Sequence, residues 1–288
     1  MPRSRTAALP PIVFSHANSF PAGTYRKLFD AWRAAGHEVV AIDKYGHDPR
    51  YPVSNHWPRL RDQLVHFAER EVGRPAWFVG HSLGGFLSVL AAAHRPGLAL
   101  GVVMLDSPLL GGWVGTMVNF AKTTGLGASY SPGTVSQRRR NHWPSPEAAL
   151  AHFRAKAAFA RWDPEVLQDY IAAGIVPAEA PLPKGATLAF RREVETAIYN
   201  TLPHDIPRFL RTHPLQAPVA FIGGTQSAEV RQVGMAATER LTAGRISWLN
   251  GTHLFPFEHP DATAAEVLAW ITRLREGAAA PEGAGPRL

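Results

Sequence analysis

The chain has 288 residues, 45% of them apolar and 18% charged, with eight Trp and fourteen Phe, which is enough to build one sizeable core in a single α/β domain carrying an insertion. It has no cysteine, which excludes structural disulfides, thiolate metal ligands and a thiol nucleophile. The formal charge of +7 raises nucleic-acid binding, but Arg138-Arg139-Arg140 is the only run of three basic residues and no aromatic interleaving accompanies it, so the charge reads as a solvated surface.

Residues 1 to 10 carry two Arg but lead into Pro10-Pro11 instead of the apolar stretch of a signal peptide. No run reaches the length of a spanning helix, so the expectation is a soluble, cytoplasmic protein. Pro11 to Ser15 reads as a short strand, and Tyr25 to Ala35 as a helix with Leu28, Phe29 and Trp32 on one face, closed by Gly36. Glu38 to Ile42 is the next strand. Leu60, Leu64, Phe67, Ala68 and Val72 stripe a longer helix that stops at Gly73. Ala76 to Val79 is a continuous apolar run of the kind a parallel sheet buries on both faces, and a helix is expected from Gly84 to His94. Gly101 to Leu105 is a further strand ending at Asp106. Strands resume only at Pro218 to Ile222 and Ile246 to Leu249, before a closing helix over Ala262 to Arg275.

This alternation implies a mostly parallel sheet flanked by helices, with right-handed crossovers. The interval 108–214 interrupts it. Ser145-Pro146-Glu147 and Asp163-Pro164-Glu165 each read as a capping residue followed by Pro at the first helical position, so the interval is expected to be a mainly helical cap inserted into a core of residues 11–107 and 215–276. The Gly/Ala/Pro-rich tail, 277–288, is expected to be disordered.

The sharpest chemical signal is Gly80-His81-Ser82-Leu83-Gly84, a G-x-S-x-G between the buried strand and a helix. A tight strand-to-helix turn lifts the Ser82 hydroxyl clear of the backbone, and Gly80 and Gly84 leave room for the bend. Such a nucleophile needs a base late in the chain. Gly251-Thr252-His253-Leu254 follows the last strand directly, which favours His253 over His259 at the start of the final helix. The acid that would orient His253 is read as Asp106, at the end of the strand after the nucleophile strand, with Glu229, the only carboxylate in Gly223 to Glu229, as the alternative. The first strand ends in Ser15-His16-Ala17-Asn18-Ser19-Phe20-Pro21, a loop beside the turn, so the Asn18 and Leu83 amides are the candidate oxyanion donors, with His16 bracing the loop.

These parts resemble the α/β-hydrolase superfamily, in particular its serine esterase and lipase-like branch with a helical cap. The resemblance rests on the elbow 80 to 85, His16-Ala17-Asn18 and the late His253, and in order of elements it covers residues 11 to 275. It implies an α/β-hydrolase fold and attack by Ser82 on a carbonyl carbon, with His253 shuttling the proton. Two departures stand out: Ala17 replaces the glycine of the family's usual His-Gly pair, and the usual Asp after the seventh strand is missing. A minority branch places its acid where Asp106 stands.

The implied activity is a carboxylesterase acting on small to medium hydrophobic esters. The alternatives are a carbon-carbon hydrolase acting on a diketone and a non-catalytic ligand-binding member of the fold. Trp113, Phe120, Trp143, Phe153, Phe159, Trp162, Tyr170 and Tyr199 are candidate pocket walls, and Arg191 and Arg192 candidate contacts for a substrate carboxylate. No metal-ligand pattern and no G-x-G-x-x-G nucleotide loop is present, so no cofactor, metal, nucleic acid or membrane partner is expected, and the chain is read as monomer or homodimer.

Overall fold

A computed structural model describes residues 8–110 and 136–277. The expected tail beyond Gly277, and the candidate pocket residues Trp113 and Phe120, lie outside the described residues. The chain opens with β1 (Ile12–Ser15), α1 (Arg26–Ala34), β2 (Val39–Ala41) and α2 (Pro58–Glu71). It continues through β3 (Ala76–His81), α3 (Leu83–His94) and β4 (Ala99–Leu105). After the inserted segment come β8 (Val219–Gly224), α9 (Ala228–Val233), α10 (Ala236–Thr242), β9 (Ile246–Leu249), α11 (Phe255–Glu258) and the closing helix α12 (Pro260–Glu276). These six strands pair in parallel in the order β2-β1-β3-β4-β8-β9.

Strand side chains alternate between faces, so each strand feeds two cores. Ile12, Phe14, Trp77, Val79, Val103, Leu105, Ala220 and Ile222 enter one, where α1 supplies Trp32 and α12 supplies Val267 and Trp270. Val13, Phe78, Val102, Met104, Val219 and Phe221 enter the other, against Leu60 and Leu64 of α2 and Leu87 and Leu90 of α3. This two-sided burial is why the strands read as unbroken apolar runs.

Between β4 and β8 lie β5 (His142–Trp143), α4 (Pro146–Arg154), α5 (Ala157–Ala160), α6 (Pro164–Gly174), β6 (Ile175–Pro177), β7 (Ala186–Leu188), α7 (Arg192–Asn200) and α8 (Ile206–Thr212). Both expected caps form: the Ser145 side chain accepts from Ala148 N–H, and Asp163 accepts from Glu165 and Val166 N–H. The segment is mainly helical, but it also holds a small antiparallel sheet in the order β5-β7-β6, which the sequence does not announce. Its strands are two or three residues long, too short to show a period of two. Among the described residues no helix is long and apolar enough to cross a membrane.

The sheet order reverses at β1: the chain runs outward to β2, then crosses back to place β3 on the other side of β1. At such a switch the loops leaving neighbouring strands part, and a crevice opens beyond their carboxyl ends. The turns after β1, β3, β4, β8 and β9 all emerge along that edge.

Candidate active site

Ser82 sits directly after β3 with φ 53° and ψ −115°, a left-handed conformation that costs a non-glycine residue about 1–3 kcal/mol. Ser82 N–H donates to Leu105 O at 2.9 Å, and its carbonyl accepts from Gly85 N–H and the Ser107 hydroxyl, so both sides of the turn are tied down. A Cβ on Gly80 would lie 2.1 Å from Gly84 O, and one on Gly84 would lie 1.9 Å from Ser15 O. The elbow therefore needs glycine for close backbone approach. The amide of Leu83 heads α3 and has no acceptor one turn back within the helix.

His253 follows β9 and lies against the elbow: its ring centroid is 5.1 Å from that of His81, and its carbonyl accepts from His81 Nε2 at 2.8 Å. His253 Nδ1 is 2.8 Å from Asp106 Oδ1. Asp106 is fully buried at the end of β4 with φ 45°, and its carboxylate also accepts from Gly224 N–H at 2.7 Å and the Ser227 hydroxyl at 2.6 Å. Three donors thus fix its orientation. The carboxylate can only accept, so Nδ1 carries the proton, which makes Nε2 of neutral His253 the acceptor nitrogen. Burial lowers the affinity of His253 for a second proton. The hydrogen bond and charge of Asp106, with a smaller contribution from Glu229, outweigh that and raise its pKa above the ordinary value.

The structure brings Asp106, not Glu229, into contact with His253. Glu229 Oε2 stays 3.9 Å from His253 Nδ1 on a side chain that is 48% exposed. His259 is exposed at the head of α12. The loop holding His253 is pinned by a group that sequence reasoning missed: buried Glu258 accepts from Thr252 N–H at 2.9 Å and from the Thr252 hydroxyl at 2.7 Å. Five residues after a histidine, a lone Glu in Phe-Pro-Phe-Glu carries no signal in one dimension.

The loop after β1 makes a tight turn closed by Phe20 N–H to Ala17 O, with Ser19 at φ 80° as its third residue, so the amide of Asn18 points away from the turn's own bond. Asn18 Nδ2 donates to Glu195 O of α7 at 3.0 Å, so the side chain is committed to the inserted segment. His16 is fully buried; Tyr45 N–H donates to its Nε2 and its Nδ1 donates to Ala17 O, so it braces the loop as a neutral ring. Burial pushes its pKa down to about 4, against the raising effect of the Ala17 hydrogen bond.

The candidate pocket walls are differently placed. Trp143, Phe153, Trp162 and Tyr170 are buried in one apolar cluster, with Phe159 packed against it, because they sit where α4 and α6 close on each other and on Phe20 and Phe257. They pack rather than line an open wall. Tyr199 is only partly buried. Arg192 spends Nη1 on the carbonyls of Gln137 and Arg139, and Arg191 is exposed.

Residues 12–266 match the family model described as "Alpha/beta hydrolase family". Human monoglyceride lipase is 34% identical over 106 residues, which are 34% of this chain and 35% of that enzyme. The chain thus matches about a third of the length of its curated relatives of this kind. Among solved structures, E-2-(acetamidomethylene)succinate hydrolase superposes with a TM-score of 0.70 at 21% identity, covering 91% of each chain. A peroxisomal alpha-beta-hydrolase of Saccharomyces cerevisiae does so with a TM-score of 0.69 at 16% identity, covering 100% of this chain and 83% of its own.

Proposed function

Because the chain belongs to the alpha/beta hydrolase family, we propose that it hydrolyses carboxylic esters of small to medium hydrophobic molecules through an acyl-enzyme, with Ser82 as nucleophile, His253 as base and Asp106 as the acid. The observation that carries this reading is the 2.8 Å bond from His253 Nδ1 to a triply anchored Asp106, beside a serine held at positive φ on the elbow. Ser82 Oγ attacks the ester carbonyl as His253 Nε2 takes its proton. The amides of Leu83 and Asn18 stabilise the oxyanion, and His253 then protonates the departing alcohol. Water, deprotonated by the same Nε2, releases the acid and regenerates Ser82. The kinship with monoglyceride lipase directs the choice of an apolar ester. We take residues 108–214 as the cap over this site.

The test is hydrolysis of a chain-length series of p-nitrophenyl esters across pH. Ser82→Ala should lose about a thousandfold or more in kcat, and Asp106→Asn about 10²- to 10⁴-fold. The rate should fall on acidification as His253 protonates, at a pH above that of free imidazole because Asp106 raises its pKa. Glu229→Gln should shift that limb slightly to lower pH and leave most of the rate. Full activity in Ser82→Ala, or a large loss confined to Glu229→Gln, would overturn the assignment.

A further inference from the structure

Two buried titratable side chains at the elbow take no part in these proton transfers. Tyr25 and His81 are both fully buried, and His81 is the residue immediately before Ser82. His81 Nε2 lies 2.8 Å from His253 O, and a carbonyl only accepts, so Nε2 carries a proton. Its Nδ1 lies 2.8 Å from Tyr25 Oη. Burial, reinforced by the nearby His253 ring, lowers the His81 pKa to about 3, so the ring is neutral, Nδ1 accepts and the Tyr25 hydroxyl donates. Tyr25 Oη in turn accepts from Ala17 N–H at 3.0 Å.

The bonds form one directional chain: Ala17 N–H to Tyr25, Tyr25 O–H to His81, His81 Nε2–H to the carbonyl of His253. It starts in the turn that presents Asn18, passes through the residue preceding Ser82 and ends on the main chain of His253. Phe257 packs against both rings, with centroids 4.8 Å from Tyr25 and 5.7 Å from His81, so neither ring can turn without opening the core. Asp106 fixes the imidazole of His253, but only His81, among the described residues, holds its carbonyl.

We propose that Tyr25 and His81 are a positioning pair, which holds the main chain of His253 in register with Ser82 and the oxyanion turn. The proposal rests on the reading of Ser82 and His253 as nucleophile and base. A base misplaced by an ångström costs on the order of a hundredfold in rate while leaving substrate binding nearly unchanged.

Amide side chains can separate the two bonds. Gln at 81 can set a donor near the Nε2 position and keep the tether to His253; Asn can set an acceptor near Nδ1, satisfying Tyr25 but dropping the tether. His81→Asn should lower kcat for p-nitrophenyl butyrate by about 10- to 100-fold with KM within about threefold, and His81→Gln by no more than about fivefold. Equal losses in the two variants, tracking equal losses in unfolding midpoint, would reduce the pair to packing and overturn the proposal. A second readout needs no turnover: in a Ser82→Ala background, the downfield proton resonance of the His253–Asp106 bond should broaden by exchange with water in His81→Asn and persist in His81→Gln. An unchanged resonance in both would refute the tether. Absence of esterase activity in the wild type would sink the functional reading alone, leaving the resonance to decide on the pair.

Discussion

Among the described residues, positive φ at a non-glycine position is confined to six residues, and Ser19, Ser82 and Asp106 are three of them. Ser82 and Asp106 directly follow β3 and β4, where the chain must turn within the width of one residue, and Ser19 is the third residue of the tight turn after β1. The glycines flanking Ser82 work by absence of volume. Since a Cβ on Gly84 would fall 1.9 Å from Ser15 O, Gly84→Ala must push β1 away from α3. The expected cost is at least about 1–3 kcal/mol, with the proposed esterase activity falling further than stability accounts for. Urea midpoints together with kcat check this; an unaltered midpoint would mean that the elbow tolerates a methyl group.

At the scale of elements, the inserted segment is fastened to the sheet domain by polar contacts at the head of α6. Asp163 caps that helix with one carboxylate oxygen and accepts from Lys27 Nζ of α1 with the other at 2.9 Å, while its own N–H donates to Phe257 O. Arg26 of α1 adds Asp169 of α6 at 2.7 Å. Asp163→Ala removes both a cap and a latch, so about 1 kcal/mol of local stability should go. Amide exchange within Pro164–Gly174 should accelerate more than exchange in β3. Equal acceleration in both would show that the segment unfolds only with the sheet. Arg161 reinforces the same seam by lying 3.3 Å from Glu258, the residue that pins Thr252 beside His253, so the seam and the loop of His253 share one carboxylate.

Across the whole molecule, buried neutral histidines tie stability to pH. His16 and His81 have pKa values held down to about 4 and about 3, whereas in the unfolded chain each would titrate near 6.5. Between those values the unfolded state binds more protons, so their contribution is intact above about 6.5 and is lost as pH falls, at up to about 1.4 kcal/mol per pH unit for each group. His253 has the opposite sign, because its raised pKa favours the fold below about 6.5 and that support fades as pH rises through the raised value. Urea midpoints should therefore decline from pH 7 to 5, and His81→Gln should flatten the decline by about one proton. An identical slope in the variant would show that His81 is not the buried neutral group inferred here.

The order of strands and helices, the elbow and the late histidine were legible in the chain because they depend on local rules. Apolar runs mark strands buried on both faces, Ser145 and Asp163 mark helix starts, and glycines bracket a turn that no side chain fits. Asp106 could be preferred to Glu229 as the partner of His253 only by its place after the strand next to the nucleophile strand, since both follow a strand and the contact depends on where the side chain ends. The packing of α4 and α6 turned expected pocket walls into core, and the short β5-β7-β6 sheet left no periodic trace. The chain from Ala17 through Tyr25 and His81 to His253 joins residues up to 236 positions apart, and the hold of Glu258 on Thr252 depends on the short helix Phe255–Glu258 that brings the two together. Sequence alone determined which elements form and which residue types could react, because those follow from period, capping and steric room along the chain. Only the tertiary structure decided which polar atoms meet, because hydrogen bonds across the sheet edge are fixed by distances of a few tenths of an ångström that no local pattern encodes.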